Sequence, residues 1–240
     1  MKYLAATLRF LTILPIGKDA TFEPERMIPF FPMAGLLIGF LLACFDAVVG
    51  LFWSAPIRSV VDGILLIVLS GGLHLDGLGD TFDGLYGHRP KERALAIMKD
   101  SHIGAMGVVA IVACLGAKWA GLSGIDSVRS LCLAVVPAFA RAGMLFGFLL
   151  LPYCREEGGT GQPFFQRSLN ATGFWGFIPL AVLSLMLGWK ALWLAAGFIV
   201  VTAILLGWYH QRMGCITGDM LGAMVEITEA ALFLLLAATI

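Results

Sequence analysis

Pro32–Phe52 reads PMAGLLIGFLLACFDAVVGLF, with Asp46 as its one charge. About 20 apolar residues in helical form cross the roughly 30 Å hydrocarbon core of a bilayer. A helix that is apolar all round belongs in lipid or in the core of a large protein. Working outward, comparable stretches lie at 57–73, 103–120, 130–151, 173–188, 191–209 and 220–240. They predict an all-α, polytopic transmembrane helical bundle of about seven spans, in one domain covering residues 1–240. Six spans is the nearest rival. The second and fifth stretches are short, and only the Trp189–Lys190 region separates 173–188 from 191–209. Glycine recurs in these segments and permits close backbone approach between membrane helices.

Composition points the same way. The 240 residues are 59% hydrophobic and 13% charged, with a mean hydropathy of +0.90. A soluble domain carries roughly a quarter charged residues. Sixteen Lys+Arg and sixteen Asp+Glu cannot cover a soluble surface of this size, whereas lipid can. Their net charge of zero also argues against a nucleic-acid partner, which calls for a basic surplus or stripe. The five cysteines (Cys44, Cys114, Cys132, Cys154, Cys215) are scattered without a close pair. They read as small hydrophobes, with no disulfide set or zinc site among them. Met1–Gly17 is interrupted by Arg9 and followed by no small-residue cleavage site, so it reads as an amphipathic or interfacial helix.

Charge sets the orientation. With the N-terminus in the cytoplasm and seven spans, the cytoplasmic segments carry eleven of the Lys and Arg residues. The opposite ends carry four, namely Arg58, Lys118, Arg129 and Lys190, and Arg141 sits inside a span. That bias follows the positive-inside rule. It places the polar motifs on or near the cytoplasmic face.

Gly71–Leu85, GGLHLDGLGDTFDGL, is the most informative of these motifs. Asp76, Asp80 and Asp83 are spaced by four and three, which puts them on one helical face. Like charges near lipid need a neutralising partner. A divalent cation serves, and magnesium takes one or two carboxylates together with substrate phosphates and water. The bland alternative is a solvated acidic loop. His74 fits a substrate contact or a structural helix end equally well. Met98–Gly107, MKDSHIGAMG, adds Lys99 as a point charge for phosphate, and Asp100 or Ser101 as a cap for the next helix.

Arg141 needs an anionic partner inside the membrane: a substrate pyrophosphate, an acidic side chain such as Asp46 or Asp62, or an escape by snorkelling. Arg155–Gly161 is a glycine-rich loop without the Gly-Lys-Ser/Thr ending of a P-loop. It either closes over a phosphate or merely connects spans. Asp219, Gly222, Glu226 and Glu229 share one face of the last span. Those acids complete a metal site with the first motif, or else hold Arg141.

Together these features suit transfer of a phosphate-linked group to an alcohol at a membrane surface. A phospholipid-type phosphoalcohol transferase is an alternative, but the Ala-Arg expected after Gly77 in that pattern is absent. A corrinoid or ion transporter is the competing class. Its internal repeat is not evident, and the acids gather near one interface. A purely structural membrane subunit leaves the paired acidic faces unexplained.

The chain resembles the cobalamin synthase family, adenosylcobinamide-GDP ribazoletransferase. The resemblance rests on GGLHLDGLGDTFDGL at Gly71–Leu85 and MKDSHIGAMG at Met98–Gly107. TLRFLTILPIG at Thr7–Gly17, FPMAGLLIG at Phe31–Gly39 and TGDMLGAMVEITE at Thr217–Glu229 extend it, in order, over almost the whole chain. Gly79 and Phe82 stand where that family often has alanine, and His102 where arginine is common.

The resemblance implies a bacterial inner-membrane enzyme that uses magnesium. Its substrates would be adenosylcobinamide-GDP and alpha-ribazole or its 5′-phosphate. Its products would be adenosylcobalamin, or its 5′-phosphate, and GMP. A homo-oligomer, or contact with other cobalamin-assembly enzymes, stays open. The expected metal ligands are Asp76, Asp80, Asp83, Asp219, Glu226 and Glu229. Asp83 is the expected proton acceptor, with Asp80, Lys99 and Arg141 in the reacting group. His74, Asp100, Ser101, Arg155, Gly158, Gly159 and Thr217 are the expected contacts to the bound nucleotide groups.

Overall fold

Prolines and glycines punctuate long apolar runs, and helices form between them. The computed structural model describes residues 2–16, 21–125, 128–154, 159, 161–166 and 171–238. In chain order the helices are α1 (Lys2–Leu11), α2 (Pro24–Met27), α3 (Phe31–Val49), α4 (Ala55–Ser70), α5 (Leu73–Leu85) and α6 (Lys91–Ile97). They continue as α7 (Ala105–Gly124), α8 (Arg129–Leu150), α9 (Phe177–Ser184), α10 (Lys190–Met213) and α11 (Gly218–Ala237). No strand occurs among the described residues, consistent with the all-α reading.

Five helices are long and apolar enough to cross a membrane: the 24–49 stretch ending in α3, then α7, α8, α10 and α11. α4 and α5 together qualify as a sixth span, bent by 90°. The remaining sequence candidate, 173–188, folds as α9 and a 3-10 turn, Phe177–Leu187. At 1.5 Å per residue that is about 16 Å, half a hydrocarbon core.

Connectivity still carries this short segment from one end of the bundle to the other. A bridge between Tyr153 and Ile216 ties the end of α8 to the α10–α11 junction, so α8 and α10 finish at the same end. Gly176 abuts Pro29 near that end, while Trp189 and Lys190 border Leu236 in the last turn of α11. The structure thus gives five spans, or six with the bent pair, and the seventh predicted crossing is a short, broken segment running between the two ends of the bundle.

Burial sorts the helices. In their most apolar windows α8 is 78% buried and α11 72%, against 28% for both α7 and α10. α8 and α11 form the centre, and the outer faces of α7 and α10 carry exposed Val112, Trp119, Leu192 and Ile199 suited to lipid. α3 lies antiparallel to α8 at very short range. A Cβ at Gly35 or Gly39 would strike the backbone at Ala138 or Ala134. Lipid tails compete with apolar side chains, so contact between small residues replaces hydrophobic exclusion as the packing force. α1 folds as the amphipathic helix expected, burying Ala6, Leu8 and Leu11, and its Thr7 hydroxyl donates to the Met27 carbonyl at 3.1 Å.

Two features at the ends of the bundle, one an ion cluster and one a disulfide, differ from the sequence reading. Asp46 and Asp62, considered as partners for Arg141, are instead taken by Arg129, at 2.8 and 2.6 Å. Arg58 adds a 3.0 Å contact to Asp46. At the other end, Cys154 and Cys215 form a disulfide, which corrects the reading of all five cysteines as unpaired hydrophobes. Sixty-one residues separate the pair. Only the Tyr153–Ile216 bridge makes them neighbours.

Candidate active site

Gly71 and Gly72 create the site's entrance. Their φ values of 62° and 73° lie in the left-handed region, which glycine adopts without a Cβ penalty. The Gly71 N–H donates to Val68 and the Gly72 N–H to Ile67, closing α4 in a glycine C-cap. The chain then turns through 90° into α5. Along α5 this leaves Asp76 exposed and Asp80 and Asp83 half-buried, and it buries His74.

α5 and α11 meet through glycine. A Cβ at Gly77 would lie 2.7 Å from the Asp219 carbonyl oxygen and 3.0 Å from its Cα. A Cβ at Gly222 would lie 3.2 Å from the His74 Cα. These approaches bring the Asp219 backbone against Gly77, next to Asp76, although 143 residues separate the two acids in sequence. Thr217 begins α11 as its N-cap, its hydroxyl accepting from the Met220 N–H at 3.1 Å. That hydroxyl, expected to meet a bound nucleotide, is committed to the helix end, and Thr217 is fully buried. Beside the crossing lies a narrow cleft of about 510 Å³ including its open mouth, bordered by His74, Asp76, Asp219, Phe10, Phe148 and Phe164.

Asp83 has a different environment from its two neighbours. Its oxygens accept the Gly104 N–H at 2.6 Å and the Gly107 N–H at 2.9 Å. It caps α7 from another helix, satisfying N–H groups that a helix start leaves orphaned. A Cβ at Gly104 or Gly107 would invade the space of this carboxylate. The cap expected from Asp100 or Ser101 thus belongs to Asp83. Asp100 instead accepts from the His102 backbone and approaches the His102 ring at 2.7 Å. That ring contact holds its carboxyl below the ordinary range. Asp100, Ser101 and Lys99 are all exposed on this loop. The α5 C-terminal carbonyls are held by Arg89 on Asp83 at 2.6 Å and Arg212 on Leu85 at 2.9 Å.

Below the cleft is a buried ionic network. Glu229 pairs with Arg141 and, at 2.5 Å, with Lys118. Lys118 also reaches Glu226 at 2.7 Å. Two acids and two bases thus balance, and all four are at most 4% exposed as residues. Such pairing is how a bundle tolerates ionised groups away from water. Of the alternatives left open, Glu226 and Glu229 take the ion pair: they answer Lys118 and Arg141 rather than turning to Asp76 and Asp80. Arg141, expected at substrate phosphate, lies behind His74, whose Nδ1 is 3.4 Å from its Nη2. The sequence reading placed Lys118 among the charges flanking the spans, yet here it is a buried member of α7. Gly159 is described with φ 103°, whereas Arg155 and Gly158 lie outside the described residues.

Among the described residues, no three His, Cys, Asp or Glu side chains form a ready-made metal cluster. Magnesium does not require one, because phosphates and water complete its six oxygens. Asp76, Asp80 and Asp219 are oxygen donors on the two helices that meet at Gly77, the ligand type that magnesium takes.

The family model for cobalamin-5-phosphate synthase matches residues 3–237. A Roseiflexus sp. (strain RS-1) protein called adenosylcobinamide-GDP ribazoletransferase is 38% identical, over 94% of this chain and 85% of its own. Proteins of that name from Herpetosiphon aurantiacus and Acetivibrio thermocellus are each 36% identical. The first alignment covers 100% of this chain and 98% of the relative, and the second 98% of both. No solved structure matches. With every motif and nearly the whole length matched, this chain belongs to the cobalamin-5-phosphate synthase family.

Proposed function

We propose that this chain joins adenosylcobinamide-GDP to alpha-ribazole, or to its 5′-phosphate, and releases GMP. The observation that carries the reading is the Gly77–Asp219 contact, which merges the two most acidic motifs into one site beside a cleft. The ribazole 3′-hydroxyl oxygen attacks the phosphorus on the cobinamide side of the pyrophosphate. A new O–P bond forms, and the bond from that phosphorus to the bridging oxygen breaks. GMP departs with that oxygen. The hydroxyl proton passes to the Asp76 carboxylate, which borders the cleft.

Asp76, Asp80 and Asp219 are the residues that would hold magnesium. The ion supplies charge neutralisation and polarisation of the phosphoryl oxygens when bound. Asp83 positions the start of α7, and hence the loop carrying Lys99, against the carboxylate face. Lys99 offsets phosphate charge from that loop. The Arg141–Glu229 pair fixes His74 and the beginning of α5. The eleven-to-four charge bias supports a cytoplasmic position for this end of the bundle, and the family resemblance supports a bacterial inner membrane.

The test is turnover by the purified protein in lipid or detergent, supplied with both substrates with and without magnesium, following GMP and corrinoid product together. Magnesium-dependent formation of both in equal amounts is expected. A folded protein that forms neither overturns the reading.

A further inference from the structure

His74 has one ring nitrogen with a partner and one without. Arg141 can only donate, so the Nδ1 atom facing its guanidinium accepts. In neutral imidazole the hydrogen then sits on Nε2. That Nε2 is buried without a partner among the described residues, and a buried donor left unmade is costly. His74 borders the cleft between α5 and α11, which Phe10, Phe148 and Phe164 also border. The Phe148 and Phe164 rings stack at 5.6 Å with an 18° interplanar angle, and Phe10 lies 5.0 Å from Phe164. Asp76 and Asp219 stand at the same cleft.

These walls suit a flat, apolar aromatic group that has a single acceptor and carries hydroxyls, not phosphates, toward the acids. Resting on the transferase reading above, we propose that the cleft seats the base of the acceptor nucleoside. The base of alpha-ribazole is dimethylbenzimidazole, a planar ring with two methyl groups and one free ring-nitrogen lone pair. That lone pair accepts from His74 Nε2–H, the ring lies against the phenylalanines, and the ribose hydroxyls face Asp76 and Asp219. The guanine of the other substrate fits poorly. Its carbonyl and two N–H groups would need several polar partners along the ring edge, whereas the phenylalanine walls offer none and the acids at the cleft are assigned here to the ribose.

The test separates the two substrates by their KM values. Phe148→Leu keeps an apolar side chain of similar size but removes the ring face. It is expected to raise KM for alpha-ribazole about 10-fold, the upper range for an aromatic pair. KM for adenosylcobinamide-GDP should stay within about 2-fold, and Phe148→Tyr should restore the acceptor KM.

A dimethylindole riboside, with C–H in place of the acceptor nitrogen, probes His74. Wild type should discriminate against it by about 10-fold, the worth of one hydrogen bond. His74→Leu should treat the two nucleosides alike. Direct titration of wild-type protein with alpha-ribazole, with guanosine as competitor, needs no variant to fold, and guanosine should fail to compete.

The proposal is overturned if guanosine competes, if Phe148→Leu moves only the corrinoid KM, or if the indole riboside performs as well as alpha-ribazole in wild type. Absence of turnover in wild type would instead remove the transferase reading. Loss of these discriminations with turnover intact removes the cleft assignment alone.

Discussion

Two groups of carboxylates, about two to three turns apart along α11, illustrate how environment divides like residues. Glu226 and Glu229 are enclosed, each facing Lys118, with Arg141 completing the second pair. Asp76 is exposed at the cleft, and Asp80 and Asp219 are half-buried nearby. The enclosed group is neutralised within the protein and holds α7, α8 and α11 together. Asp76 and Asp219 border the cleft, and the proposed function assigns an outside cation and phosphates to this second group. Acidity along one helical face therefore signals two functions, and the basic partners on other helices decide which acid serves which.

That contrast predicts opposite phenotypes. Glu229→Ala leaves Arg141 and Lys118 short of charge in a buried place. Breaking a buried pair costs about 3–5 kcal/mol, so denaturant titration in detergent should show a large loss of stability. A stability close to wild type would mean the network is dispensable. Asp76→Asn should do the reverse: turnover falls about 100-fold, as for loss of a group acting at the reacting phosphate, while stability stays within about 0.5 kcal/mol, as for an exposed position. Equal damage to both properties would erase the distinction between the two groups.

Asp83 sharpens the comparison because it belongs to the open face by sequence and to the structural class by geometry. Asp83→Ala removes two N–H acceptors at the start of α7 and should cost about 1–2 kcal/mol. Added metal should not recover it, and that is the measurement: stability with and without saturating magnesium. Recovery would return Asp83 to the ligand set. Smallest is Thr217→Ala, which removes the N-cap of α11 and should cost about 1 kcal/mol. A KM for either substrate raised more than about 10-fold would instead make its hydroxyl a substrate contact.

Much of this was readable from periodicity. The i, i+4, i+7 spacing of Asp76, Asp80 and Asp83 guarantees a shared helical face wherever the helix is placed. Apolar length marks α3, α7, α8, α10 and α11, since a bilayer admits few other solutions. Less of the pairing was readable. Lys118 sits in an apolar run and looks like a flanking charge until α7 is laid against α11. Cys154 and Cys215 look solitary until the α8 end meets the α10–α11 junction. The 173–188 stretch is apolar enough to suggest a full span, but hydropathy does not register a 3-10 turn or the left-handed Gly188 that ends it.

By itself the sequence determined membrane residence, the helical class, the family and the residues able to do phosphoryl chemistry, because composition, period and motif are local properties of the chain. Tertiary structure decided which carboxylate caps α7, which two join the buried ion network and which border the cleft. It also decided that Gly77 joins two distant motifs and that His74 borders the same cleft as three phenylalanines. Those outcomes depend on distances between helices, and a one-dimensional pattern carries no information about which faces pack together.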